Sequence, residues 1–134
     1  MRRRVRNSSR GFTLIELMIV ISIMLILVSM AIPAYQTSIL RAKESVLRQN
    51  LFTLRSLISQ YTLDKQKAPQ ALDDLVSAGY IKQLPLDPMT GKSDWEAVQE
   101  EDVNMSPDQQ EQGIDDVHSS STAVSSDGSA YNTW

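Results

Sequence analysis

The stretch RRRVRNSSRGFTLIELMIVISIMLILVSMAIP, residues 2–33, decides the reading of this chain. It joins a basic head to an apolar run with one acid, Glu16, near the start of the run. Residues 12–32 predict a helix. At ~1.5 Å per residue it is about 32 Å long, close to the thickness of a bilayer's hydrocarbon core. A cleavable secretory signal would place a small-residue site of A-x-A type after its apolar region. SMAIPAY, residues 29–35, matches that poorly, and a small residue instead precedes the run, at Gly11. Removal of a leader would take the basic head and leave the apolar helix on the mature chain.

The charge pattern agrees with a membrane orientation. Residues 1–11 hold five Arg and no acid, whereas residues 34–134 hold eight Lys or Arg against fifteen Asp or Glu. The positive-inside bias keeps the Arg-rich end in the cytoplasm and puts the acidic body on the other side. Such a distribution fits a membrane protein better than a nucleic-acid binder. The absence of cysteine excludes a disulfide framework, a Cys nucleophile and a Cys-based metal site. His118 is the only histidine, and its HSSS context is not a nucleophile elbow. With no phosphate-binding Gly-rich loop and no metal-spaced His/Glu pair, an enzyme is not expected.

An acid at the centre of a membrane span costs about 2.5–3.5 kcal/mol on insertion scales, so Glu16 asks for a reason. It either reaches the headgroups from the helix end or pairs with a cation. A cut between Gly11 and Phe12 would create a new α-amino group four residues from Glu16, on the same helix face. That amine could pair with its own Glu16 or with Glu16 of a neighbour, and pairing makes a buried carboxylate tolerable.

RGFTLIELMIVISIMLILVSMAIP resembles the prepilin signature of type IV pilins and type II secretion pseudopilins, through Gly11, Phe12, Thr13, Leu14, Glu16 and Pro33. The resemblance implies a prepilin peptidase that cuts after Gly11 and N-methylates Phe12, and a role for Glu16 in subunit assembly. LPLDPMTGKSDW (84–95) and GIDDVHSSSTAVSSDGSAYNTW (113–134) resemble the major, G-type pseudopilin. The implied organisation is a cleaved basic leader over 1–11, a transmembrane and assembly helix over 12–33, and a periplasmic domain over 34–134. The implied function is a structural subunit that polymerises into a periplasmic pseudopilus. Its implied partners are copies of itself, the prepilin peptidase/N-methyltransferase, an inner-membrane assembly platform, minor pseudopilins and membrane lipid, with no nucleic acid. The alternatives are a type IV pilin, a minor pseudopilin, or an uncleaved single-span envelope protein acting as a binding module.

Downstream, the residues themselves predict an α+β body. Pro33 lies inside a longer helical pattern and predicts a kink. Leu47, Leu51, Leu54, Ile58 and Tyr61 make one apolar stripe, read as the contact between the helix and the body. The helix is expected to end at 64–67, before Pro69. A short helix follows over 70–78, with Gly79 at its cap. DWEAV and GIDDV are strand candidates for a small antiparallel sheet of at most three strands, sealed by Tyr131 and Trp134.

Beyond Lys92 the chain has ten acids and no Lys or Arg. VQEEDVNMSPDQQEQ, 98–112, reads as a solvated acidic loop, and Ser119–Ser121 as a flexible connection. A sharper reading docks the acidic body of one copy on Arg41, Lys43, Arg48 and Arg55 of another. The resemblance to G-type pseudopilins also implies calcium in a C-terminal loop, with Asp115, Asp116 and Asp127 as candidate ligands. SSSTAVSSDGS lacks a dense Asp cluster, and nothing matches an EF-hand.

Overall fold

A computed structural model describes residues 11–99 and 113–134. Helix α1 runs over Leu14–Lys65 without interruption, including at Pro33. The chain divides into two compact units, with the boundary between Ser38 and Ile39.

In the first unit, the apolar side chains from Leu14 to Ile32 are exposed all round the helix. It belongs to the one helix among the described residues that is long and apolar enough to cross a membrane. Its hydroxyls are satisfied locally: Ser22 donates to the Met18 carbonyl and Ser29 to the Ile26 carbonyl, each at 2.7 Å. Such internal pairing lets serine sit in a lipid-facing helix.

In the second unit, the predicted stripe is the core. Leu47, Leu51, Leu54, Ile58 and Tyr61 pack with Leu72, Leu75, Trp95, Ile114, Val117 and Tyr131. Each fully buried aliphatic side chain contributes about 1.5–3 kcal/mol. Helix α1 ends at Lys65 within the expected window, and Gln66 takes a left-handed φ of 57°.

Helix α2 is shorter than the sequence suggests, covering Asp73–Ser77. The Asp74 carboxylate accepts the amides of Gln70 and Ala71 at 2.8 and 3.0 Å, holding that segment in a turn ahead of the helix. Gly79, at φ 81°, closes α2, its amide bonding the Val76 carbonyl at 3.1 Å.

Strands β1 (Glu96–Gln99) and β2 (Ile114–His118) form an antiparallel pair with Ala97 opposite Val117. Among the described residues the sheet has these two strands, and an isolated bridge joins Val124 to Ala130. A 3-10 turn over Tyr131–Thr133 follows. The 84–95 loop folds around Asp87, which is fully buried. Asp87 accepts from the Met89 amide at 2.7 Å and from the Ser119 hydroxyl. The serine run is therefore not a loose connection at Ser119, because that hydroxyl answers a buried carboxylate. Most of the acidic loop, residues 100–112, lies outside the described residues.

Candidate functional site

Gly11, Phe12 and Thr13 precede the first helical residue and are exposed. A Cβ built on Gly11 meets nothing within 4 Å, so nothing in the described fold demands glycine there. Phe12 is 85% exposed. The Glu16 amide donates to the Thr13 hydroxyl at 3.2 Å. Thr13 is therefore the N-cap of α1 and Glu16 its third residue, the T-x-x-E spacing of a capping box. That spacing was present in the sequence and gives Glu16 a local role, since an acid in the first turn complements the helix dipole. Its exposed carboxylate has no hydrogen bond or ion pair among the described residues.

The structure reveals a second acid that sequence reasoning missed. Glu44 is 5% exposed. It accepts the Ser126 amide and hydroxyl, each at 2.6 Å, and the Tyr131 hydroxyl at 2.9 Å. The Ser126 hydroxyl and amide together outweigh burial and hold the Glu44 carboxyl below its ordinary range. Burial first, and then the bond to Glu44, push the Tyr131 phenol up to about 12. Glu44 thus latches the 125–131 segment to α1.

Two arginines extend the latch. Arg48 bonds Asp127 at 3.4 Å and lies 4.3 Å from the Trp134 ring centroid. Arg55 bonds Asp116 at 2.5 Å, and also the Val117 and Trp134 backbone oxygens at 3.1 and 2.9 Å. Trp134 stacks edge-on against Tyr131, with centroids 5.1 Å apart. Of the four cations expected to meet a neighbour's acids, Arg48 and Arg55 are therefore engaged within their own chain. Arg41 and Lys43 are exposed and have no ion pair with any described residue.

The three calcium candidates are not gathered. Asp116 is held by Arg55, and Asp127 by the Ser125 and Ser129 hydroxyls, while Asp115 is exposed on β2. The Ser125 and Ser129 hydroxyls bring the Asp127 carboxyl down to about 2. Burial is the largest influence on the Asp116 carboxyl and raises it, but the Arg55 bond, the Val117 amide and the nearby positive charge together turn the net shift downward. Among the described residues no group of three or more His, Asp or Glu side chains is placed to hold a metal ion. His118 contacts the Trp134 backbone oxygen through Nδ1 and lies 3.6 Å from Asp116 through Nε2. The neighbouring Ser119 is committed to Asp87.

An apolar, capped helix that continues into the core of a small α+β body defines a type IV pilin-like protein. Residues 6–32 match the family described as the prokaryotic N-terminal methylation motif. The chain is 34% identical over 102 residues to the type II secretion system core protein G of Klebsiella michiganensis, covering 64% of this chain and 72% of that one. It is 33% identical over 101 residues to the core protein G of Escherichia coli, covering 63% and 70%. A type IV major fimbrial protein, FimA of Dichelobacter nodosus, is 41% identical over 66 residues, covering 49% and 41%. No solved structure matches the chain. The chain belongs to the type II secretion system core protein G family, the major pseudopilins.

Proposed function

We propose that the chain is made as a precursor and cut between Gly11 and Phe12, after which the new Phe12 amine is N-methylated. The mature subunit is stored as a single-span inner-membrane protein with its body in the periplasm. It then assembles into a helical filament with the apolar helices at the centre. The chain is structural and carries out no chemistry of its own. The observation that carries this reading is the Glu16 carboxylate, set in an apolar helix without a partner among the described residues. Such a charge is costly in lipid until it is paired, and the Phe12 amine of an adjoining copy supplies the cation. The open space around Gly11 supports the cut: a requirement for a small residue there would come from the peptidase.

The test is the intact mass and N-terminal residue of the protein from its native membrane, beside Glu16→Val and Gly11→Leu variants. The expected mature chain begins at methylated Phe12. Glu16→Val stays in the membrane but yields no filament, and Gly11→Leu keeps the leader. A wild-type chain retaining residues 1–11 would overturn the reading in favour of an uncleaved anchor.

A further inference from the structure

Between residues 17 and 63 the sequence has four cations, Arg41, Lys43, Arg48 and Arg55, and a single acid, Glu44, although the whole chain is net −3. The structure removes three of these five charges from play. Glu44 is buried on Ser126 and Tyr131, Arg48 is held by Asp127, and Arg55 by Asp116. Arg41 and Lys43 remain exposed, without an ion pair among the described residues. They follow Ile32, the last residue of the apolar run, by nine and eleven positions. At ~1.5 Å per helical residue that is about 14 and 17 Å.

We propose that Arg41 and Lys43 form a cationic collar that binds anionic phospholipid headgroups at the membrane surface where the body emerges. The proposal rests on the reading of 12–33 as a membrane anchor. The headgroup layer adds about 5–8 Å beyond the hydrocarbon core. The long stems of Arg and Lys reach back toward it. An anionic surface attracts such cations within a Debye length, about 8 Å at physiological salt. A neighbour's body is the rival counter-ion. Asp116 and Asp127 of such a body are already paired with its own arginines, and the density of protein in the vesicle separates this rival from lipid in the test below. The collar also gives an otherwise acidic body a defined side to present to an anionic surface.

The chain has no cysteine, so Ser38→Cys provides a single nitroxide site just ahead of the collar. The full chain is reconstituted in phosphatidylcholine vesicles, with and without phosphatidylglycerol. The readout is collision of the label with a neutral, water-soluble nickel chelate. Phosphatidylglycerol is expected to lower access. Salt at 1 M, where the Debye length is about 3 Å, restores it. The Arg41→Gln/Lys43→Gln pair abolishes the lipid dependence while the Trp fluorescence of the body is unchanged. The expected bias toward the surface-held state is about fivefold per cation, or about 30-fold for both. Equal access in the two lipids would overturn the proposal, as would a lipid effect that survives the double substitution. Access that follows protein density instead of lipid charge would assign the collar to a neighbouring copy. A chain that alkaline carbonate strips from the vesicles would refute the anchor reading itself, and the collar with it.

Discussion

Replacing Glu44 with alanine is expected to destabilise the body by about 3 kcal/mol. Three donors converge on this carboxylate: the Ser126 amide, the Ser126 hydroxyl and the Tyr131 hydroxyl. The Ser126 hydroxyl can turn elsewhere, but Tyr131 is 1% exposed and its hydroxyl would be stranded. A buried donor left without a partner costs about 1–3 kcal/mol, and a bond to a charged group contributes about 1.5–3 kcal/mol. Glu44→Gln keeps an acceptor and the side-chain volume, so it should cost only about 1 kcal/mol. The assay is thermal unfolding of the full chain in detergent micelles, followed by the fluorescence of Trp95 and Trp134. At about 4–8 °C per kcal/mol for a domain of roughly 60–100 residues, Glu44→Ala should lower Tm by about 12–24 °C. The pH dependence supplies an independent check. The folded-state pKa of Glu44 lies below its ordinary value of 4.5. Its contribution is therefore fully present above pH 4.5 and lost as pH falls through the folded value. Asp116 and Asp127 act in the same direction from 3.8 downward, so Glu44 governs the start of the acid limb. Glu44→Gln should flatten that start. A Glu44→Ala variant within about 0.5 kcal/mol of wild type, the range of ordinary surface changes, would refute the latch.

Arg55→Lys should cost about 1–2 kcal/mol in urea unfolding, because a single ammonium cannot serve Asp116 and both backbone oxygens as the guanidinium fork does; an unchanged midpoint would count against the clamp. Gln66→Gly should stabilise by up to about 1 kcal/mol by relieving the left-handed φ of 57°, less whatever the side-chain bond to the Leu63 carbonyl contributes; a fall in Tm would show that the side-chain bond dominates. At alkaline pH the sign reverses for Tyr131, whose pKa is raised from 10.0 to about 12. Its contribution is complete below pH 10 and lost as pH rises toward 12, and Tyr131→Phe should remove that part of the alkaline limb in a pH series of urea midpoints.

The parts of the fold legible in the sequence were those written in local periodicity. The 4-3-4-3 spacing from Leu47 to Tyr61 gave the buried face, and DWEAV and GIDDV lie within a residue or two of the strands. The latch was not legible in the same way. Glu44 continues the apolar stripe one step earlier, three residues before Leu47, so an acid on a buried face was its only local signal. Its partners lie 82 and 87 residues away in a serine-rich segment that reads locally as a linker. Asp87 and Ser119 repeat the pattern across 32 residues. Helix α2 starts at Asp73 and not at Gln70, because the Asp74 carboxylate takes the Gln70 and Ala71 amides and holds those residues in a turn, a contact that helical periodicity does not encode. At the amino terminus the T-x-x-E spacing of Thr13 and Glu16 is legible in the sequence as a helix cap, which the Glu16 amide and Thr13 hydroxyl form.

The two acids on α1 up to Ile58 solve the same problem in opposite ways. Glu44 takes a carboxylate out of water and satisfies it with three donors from its own body. Glu16 places a carboxylate on an apolar helix and finds no such donors among the described residues. A body that satisfies its own buried charge does not depend on a neighbour to fold, whereas an anchor that leaves its charge open gains from one. Stability and assembly therefore separate by residue. Glu44→Ala should lose Tm first, and filaments only as a consequence. Glu16→Val should lose filaments while the unfolding of the body, read at Trp95 and Trp134, stays at the wild-type temperature. If Glu16→Val lowered that temperature as far as Glu44→Ala does, Glu16 would be a folding residue and its assembly role would have to be abandoned.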